Sequence, residues 1–270
     1  MSLGQNERWP GADVHYLVYE SADFIVYIDS DIDMNWETSA KYDETGYKDQ
    51  VLHNEILNRA ALLESIPTYD LDPKIRLSYK RMLCEAVARS LCHDYVNADN
   101  ILKSAELFVR ARNEELARSW YLSAGCKTSI IFISLGILLW LNRVSVRGEI
   151  GDFPFLLAVG SIGGAAGALL SIIMRMGNAN LDSSAGKGLH QLESMSRIFA
   201  GVISASAVIL GVHADIIFPM FAKSAKQSAI MVLVGIVAGA SERLAPSLIQ
   251  SVEGKQQEKK PQPKKPAGGK

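Results

Sequence analysis

The β-prone runs of the chain lie near its start. Val14–Tyr19 and Phe24–Ile28 are two short β-prone runs separated by four mostly polar residues, and they predict a hairpin over 14–28. The following stretch, Asp29 to Asp49, is acidic and poor in apolar residues, and it reads as loop. From there helical periodicity takes over. Asp49 is placed to cap a helix running to about Ser65, with Leu52, Ile56, Leu57, Ala60 and Leu63 on one face and Pro67 ending it. Asp72-Pro73 is a second start signal, an N-cap followed by a proline in the first turn. The helix it opens sets Ile75, Tyr79, Met82, Leu83, Ala86, Val87, Ser90 and Leu91 in one stripe. After a turn at Asn97–Asp99, a third helix carries Leu102, Ala105, Phe108, Leu116 and Trp120 inward.

Beyond Trp120 the pattern is no longer amphipathic. A helix crosses the hydrocarbon of a bilayer with about 20 mainly apolar residues, and four segments approach that requirement, at 120–141, 153–174, 198–220 and 229–249. The fourth is the weakest, because its apolar run stops at Ala240, before Ser241-Glu242-Arg243. Either that span is short and continues along the interface, or Glu242 and Arg243 lie in a protein-lined site. The expected fold class is therefore mainly α. An acidic segment (1–48) and a helical domain (49–119) stand on the cytosolic side of a four-helix transmembrane bundle (120–252), and a disordered basic tail (253–270) follows. Lys and Arg cluster in the tail and, more weakly, beside the first span (Arg110, Arg112, Arg118, Lys127). With an even number of spans, this places both termini in the cytoplasm of a bacterial cell with an inner-membrane, multi-pass protein.

Small residues recur at helical spacing inside these spans. Gly160 and Gly164 are four apart, as are Gly163 and Gly167, then Gly201 and Ala205, then Gly235 and Gly239. Residues four apart share a helix face, and in lipid small ones let two backbones approach. The pattern predicts close helix packing within the chain and, beyond that, a homo-oligomer.

Charge sharpens the division into halves. Fifteen acidic and four basic residues lie between Met1 and Pro73, a balance of −11; with −1 overall, the remainder carries +10. An acidic segment held away from an anionic lipid surface and basic segments beside it fit that split, and direct nucleic-acid binding is not expected. No apolar leader opens the chain, which agrees with a cytosolic first half. Cys84, Cys92 and Cys126 match no zinc or disulfide frame, and Cys84 and Cys92, eight apart on one helix face, read as core-packing residues.

Candidate chemistry is sparse. His213 and Asp215, at the outer end of the third span, and Glu242 and Arg243, near the inner end of the fourth, are ionisable groups in or beside membrane helices. They are candidates for a pore or ion path, against the alternatives of headgroup solvation and a structural role. The run Ser183-Ser184-Ala185-Gly186-Lys187-Gly188 lacks the glycine and the hydroxyl of a phosphate loop, since Leu181 and Gly188 occupy those places. Asp29-Ser30-Asp31-Ile32-Asp33 fails as a calcium loop at Met34 and Ala40. No catalytic, cofactor or metal motif is present, so no enzyme and no cofactor is expected.

One further pattern is local. From Gly235 onward the chain reads GxxAGxSERxxPxL, which resembles the last span of small bacterial membrane proteins. Asp99–Leu122, with Arg112, Arg118 and Trp120-Tyr121-Leu122, is similar to the helix that leads into their first span. Proteins built this way include membrane effectors of bacterial anti-phage systems. The pairing of a soluble module with glycine-lined spans that carry few charges leads to the expectation of a non-enzymatic membrane protein whose cytosolic domain senses or binds a protein or small-molecule signal and whose spans oligomerise. A pore-forming or membrane-perturbing effector is the form the resemblance suggests. The alternatives are an anchor for a cytosolic partner and a small ion channel or transporter.

Overall fold

The computed structural model describes residues 9–178, 181–183, 185–216 and 227–241. The chain divides into two compact units, with the main boundary after Ala117.

The first unit opens with a three-stranded antiparallel meander: β1 (Tyr16–Glu20), β2 (Phe24–Ile28) and β3 (Met34–Thr38), in the order β1-β2-β3. The third strand corrects the expectation of a loop over 29–49. Its five residues, Met-Asn-Trp-Glu-Thr, do alternate, but the run is short and set in an acidic stretch, so it does not stand out as a strand alone. Pairing with the fully buried β2 along its whole length supplies the order. The acidic cluster before it is the turn itself. Asp29 Oδ1 accepts the backbone N–H groups of Asp31 (3.0 Å) and Asp33 (2.9 Å), and Ile32 takes a φ of 65°. Ser21 closes the β1–β2 turn in the same way, its Oγ accepting from Asp23 and Phe24.

Helix α1 (Ala40–Thr45) follows, capped by Ser39. α2 (Gln50–Glu64) begins where Asp49 accepts from Val51 and Leu52, and α3 (Pro73–Leu91) where Asp72 accepts from Lys74, with Pro73 in the first turn. Successive residues of β2 point to opposite faces of the sheet. Phe24, Val26 and Ile28 join Ile56, Ala60, Leu63, Tyr79, Leu83, Val87 and Leu91 in one core. Ile25 and Tyr27 form a smaller one with Trp9. The acidic N-terminal segment thus shares a hydrophobic core with the helices. Each large apolar side chain in it contributes about 1.5–3 kcal/mol by leaving water. Polar ties cross the core: the Tyr79 hydroxyl donates to the Leu63 carbonyl (2.6 Å) and the Tyr42 hydroxyl to that of Leu91. Lys80, 5% exposed, places its Nζ 2.7 Å from Glu64 and 3.0 Å from Asp33, and Glu64 also accepts the Met34 N–H. One ammonium therefore fastens the β2–β3 turn to two helices.

Helix α4 (Tyr95–Leu141) runs unbroken for 47 residues, about 70 Å at 1.5 Å per residue. Sequence periodicity alone divides it, because an amphipathic stripe gives way to an all-round apolar run near Trp120. Its first part closes the core of the first unit through Ala98, Leu102, Ala105 and Val109.

The second unit holds the rest of α4, then α5 (Arg143–Ile150), α6 (Asp152–Arg175), α7 (Lys187–His213) and α8 (Gln227–Ala240). Three of these, α4, α6 and α7, are long and apolar enough to cross a membrane. α6 is the most enclosed, with over half of its most apolar window buried. The fourth span expected over 229–249 is a helix of 14 residues, about 21 Å, short of the roughly 30 Å of hydrocarbon. The remainder of that span from Glu242, the end of the third expected span (217–220) and the basic tail lie outside the described residues. α7 starts eleven residues before the expected 198, adding three polar-faced turns to the span.

Candidate functional site

The most constrained geometry in the second unit is where α6 meets α7 and α8. The Gly163/Gly167 row of α6 meets α8, and the Gly160/Gly164 row lies between α7 and α8. Gly164 lies against Gly201 and Ala205 of α7: a Cβ added at Gly164 would stand 2.6 Å from the Ala205 Cβ. One added at Gly201 would stand 2.6 Å from the Ala168 Cβ and 2.8 Å from the Gly164 carbonyl oxygen. On the other side, Gly163 abuts the Val232 carbonyl (2.8 Å), Gly160 that of Met231 (2.9 Å) and Gly167 the backbone of Ile236 and Ala240. α8 reciprocates, with Gly235 against the Gly160 carbonyl and Gly239 against that of Gly164. These are backbone-to-backbone approaches, so no rotamer change could make room for a side chain. All seven glycines meet helices of the same chain.

Two further glycines were not legible as packing residues. A Cβ on Gly125 of α4 would come within 2.7 Å of the Ser194 Oγ, and one on Gly136 within 2.9 Å of Ile162. The signal lay in an eleven-residue separation, three helical turns, rather than in a pair four apart. The aromatic pair Phe132–Phe199, edge-on with centroids 5.6 Å apart, lies beside them.

Hydroxyls accompany the small residues. Ser161 of α6 and Ser206 of α7 are 2.7 Å apart, and each also approaches the carbonyl four residues back in its own helix. Ser129 and Ser194 are fully buried, and neither hydroxyl has a hydrogen-bond partner among the described residues. A crevice of about 420 Å³ lies between α6, α7 and the end of α8, where Ser171, Ser204 and Ser241 line it together with the Glu193–Arg197 ion pair (3.3 Å). At the other end of the unit Arg147 of α5 acts as a corner tie. Its guanidinium donates to Ser228 of α8 (2.7 Å), lies 3.7 Å from Asp152 and stacks 4.5 Å over the Phe155 ring.

His213 and Asp215 are both exposed, at the end of α7. The His213 ring stacks on that of Phe153, with centroids 3.6 Å apart. Asp215 takes a φ of 55° in the turn that ends the helix. The two are therefore not drawn into the packed interior. Glu242 and Arg243 lie outside the described residues.

The first unit assembles a group that one-dimensional spacing hid. His53 of α2 is buried, with its Nδ1 2.8 Å from the Ser90 Oγ. Tyr47, Tyr42 and His93 extend the cluster through ring contacts. Burial, with His93 nearby, holds the His53 imidazole below its ordinary pKa. Burial also pushes the Tyr42 phenol up to about 12 and the Cys84 thiol up to about 12, so neither ionises near neutrality. Serine and histidine here are shut away from solvent, which suits packing and not nucleophilic attack. Among the described residues no group of three or more His, Cys, Asp or Glu side chains is placed to hold a metal ion.

No protein-family model matches the chain, and no curated protein or solved structure matches it either.

Proposed function

We propose that this is a non-enzymatic, multi-pass protein of a bacterial inner membrane, with both termini in the cytoplasm, whose N-terminal unit recruits a cytosolic partner to a compact membrane bundle. The observation that carries this reading is the closure of the glycine contacts. α6 spends both of its glycine rows on α7 and α8 of its own chain. What remains outward on α4, α6 and α7 is large and aliphatic, including Ile130, Ile131, Ile137, Leu170, Ile173 and Ile203, a surface suited to lipid. A homo-oligomer would then assemble through these faces rather than through the glycines. The test is recruitment in cells. Deleting residues 1–118 should release the partner from the membrane while the bundle stays inserted; unchanged retention would end the reading.

A second reading, a membrane-perturbing effector of the anti-phage type, is favoured by the hydroxyl-lined crevice and the Ser161–Ser206 pair, polar features in otherwise apolar helices. It requires the α6–α7–α8 contacts to open into an oligomeric pore. Membrane potential followed after induction tests it; an unchanged potential at high expression removes it. A small ion channel or transporter using His213, Asp215 or Glu242 is the third reading, and normal conduction in the three alanine variants would exclude it.

A further inference from the structure

Recruitment of a partner needs a binding place on the first unit and a chemistry for it. β1 is an edge of the sheet, paired only with β2 among the described residues. Edge strands carry a row of main-chain donors and acceptors that another chain can complete. α3 packs across the face of the sheet, over β2 and against both β1 and β3, and leaves a trough of about 470 Å³ where it meets β1. Residues 16–18 of β1 form one wall, Arg81, Met82 and Glu85 of α3 another, and Ile101 of α4 also lines it. A strand edge beside a helix, with a cleft between them, is the arrangement by which extended peptides add to sheets. The main chain supplies affinity, and alternate side chains entering the cleft supply specificity.

The charges in the trough are arranged asymmetrically. Arg81, Glu85 and Arg89 follow one another at four-residue intervals on α3, a spacing that permits ion pairs. Glu85 is taken by Arg89, at 3.0 Å. The Arg81 guanidinium lies instead 4.8 Å over the Tyr16 ring, and no carboxylate stands within 4 Å of it among the described residues. An exposed arginine resting over an aromatic ring beside an edge strand is a ready receptor for a carboxylate.

We propose that β1 receives a short extended peptide from a protein partner, which adds as a fourth strand. On one face the peptide carries an apolar side chain that packs on Met82 and Ile101, and a carboxylate that pairs with Arg81. The β1 bulge argues for a short foreign segment and against a second copy of this strand. It leaves Val18 without a partner on β2, so regular pairing extends over few residues. It also reverses the facing of the residues after it. Tyr16 pairs with Ile28, on the face of the main core, whereas Glu20 pairs with Ile25, on the opposite face. A second β1 laid here would bring its Glu20 to the face away from Arg81, together with a second Arg81.

The test uses the full-length protein in phosphatidylcholine nanodiscs and a displayed library of random short peptides, counter-selected on empty nanodiscs. Enriched peptides should share an acidic residue two positions from an apolar one. A synthetic copy should lose about tenfold or more in affinity for R81E. Replacing its acidic residue by Lys should restore binding to R81E, and N-methylation of alternate peptide residues should abolish binding to the native protein. Arg81 is exposed, so R81E should melt as the native protein does. No enrichment over empty nanodiscs, or equal binding to R81E, overturns the proposal. The inference rests on the partner-recruitment reading but fails separately from it. If R81E still retains the cytosolic partner at the membrane as firmly as the native protein, the groove is wrong and recruitment stands. If the 1–118 deletion also retains it, recruitment itself is wrong.

Discussion

Replacing Gly164 by alanine adds one methyl group at the place where α6 and α7 are closest. That methyl would lie 2.6 Å from the Ala205 Cβ and against the Gly201 backbone. Carbon atoms pack at about 3.5–4.0 Å, so the two helices must separate by roughly 1 Å. Overpacking of this kind costs about 1–3 kcal/mol. The obstacle includes backbone, which cannot rotate away, so the upper half of that range applies. Against it stands the gain of about 0.8–1 kcal/mol in helix propensity when glycine becomes alanine. A net loss of about 1–2 kcal/mol follows, a shift of roughly five- to thirtyfold in the folded-to-unfolded ratio. The assay is unfolding of the full-length protein in mixed micelles by a rising fraction of sodium dodecyl sulfate, followed by far-ultraviolet circular dichroism. Gly148→Ala is the control, because an added Cβ at Gly148 meets nothing within 4 Å. It should be neutral or stabilising by up to about 1 kcal/mol. The loss at Gly164 should also be independent of the protein-to-detergent ratio, as befits a contact within one chain. A Gly164→Ala protein as stable as the native one, or a loss that appears only on dilution, would refute the intramolecular assignment.

Other consequences lie in the first unit. Lys80→Ala removes the ammonium that joins Asp33 to Glu64. Breaking a fully buried pair costs about 3–5 kcal/mol, but the Asp33 side chain is 65% exposed, so about 1–3 kcal/mol is expected in chemical denaturation; Lys80→Met should recover part of it through packing. His53 has its pKa lowered in the folded state, so the unfolded chain binds the extra proton more readily. Its contribution to stability is therefore present above the ordinary histidine value of 6.5 and is lost as the pH falls through 6.5 toward the depressed value; His53→Gln should flatten the fall in melting temperature over that window. Cys92 is exposed, whereas Cys84 is buried with its thiol pushed up to about 12. In a Cys126→Ala background, a maleimide at neutral pH should label one thiol in the folded protein and a second only on unfolding.

Features that depend on composition, period and neighbouring residues were legible in the sequence alone. The Asp49 and Asp72-Pro73 signals stand at the starts of α2 and α3 because caps act within one turn of chain. The apolar runs in α4, α6 and α7 were legible for the same reason: their length and hydropathy are properties of consecutive residues. Tertiary structure decided what depends on distant segments. β3 is fixed by the buried partner strand β2, because its own alternation runs for only five residues within an acidic stretch. The Glu64–Lys80–Asp33 tie and the His53–Ser90 contact join residues 16, 47 and 37 positions apart, distances at which no spacing rule applies. The glycine rows showed in the sequence as faces without partners. Only packing assigned Gly163 and Gly167 to α8 and set Gly160 and Gly164 between α7 and α8, because the choice depends on how three helices share one set of backbone approaches. The edge position of β1 among the described residues belongs to the same category, because strand order is settled by the sheet and not by the chain.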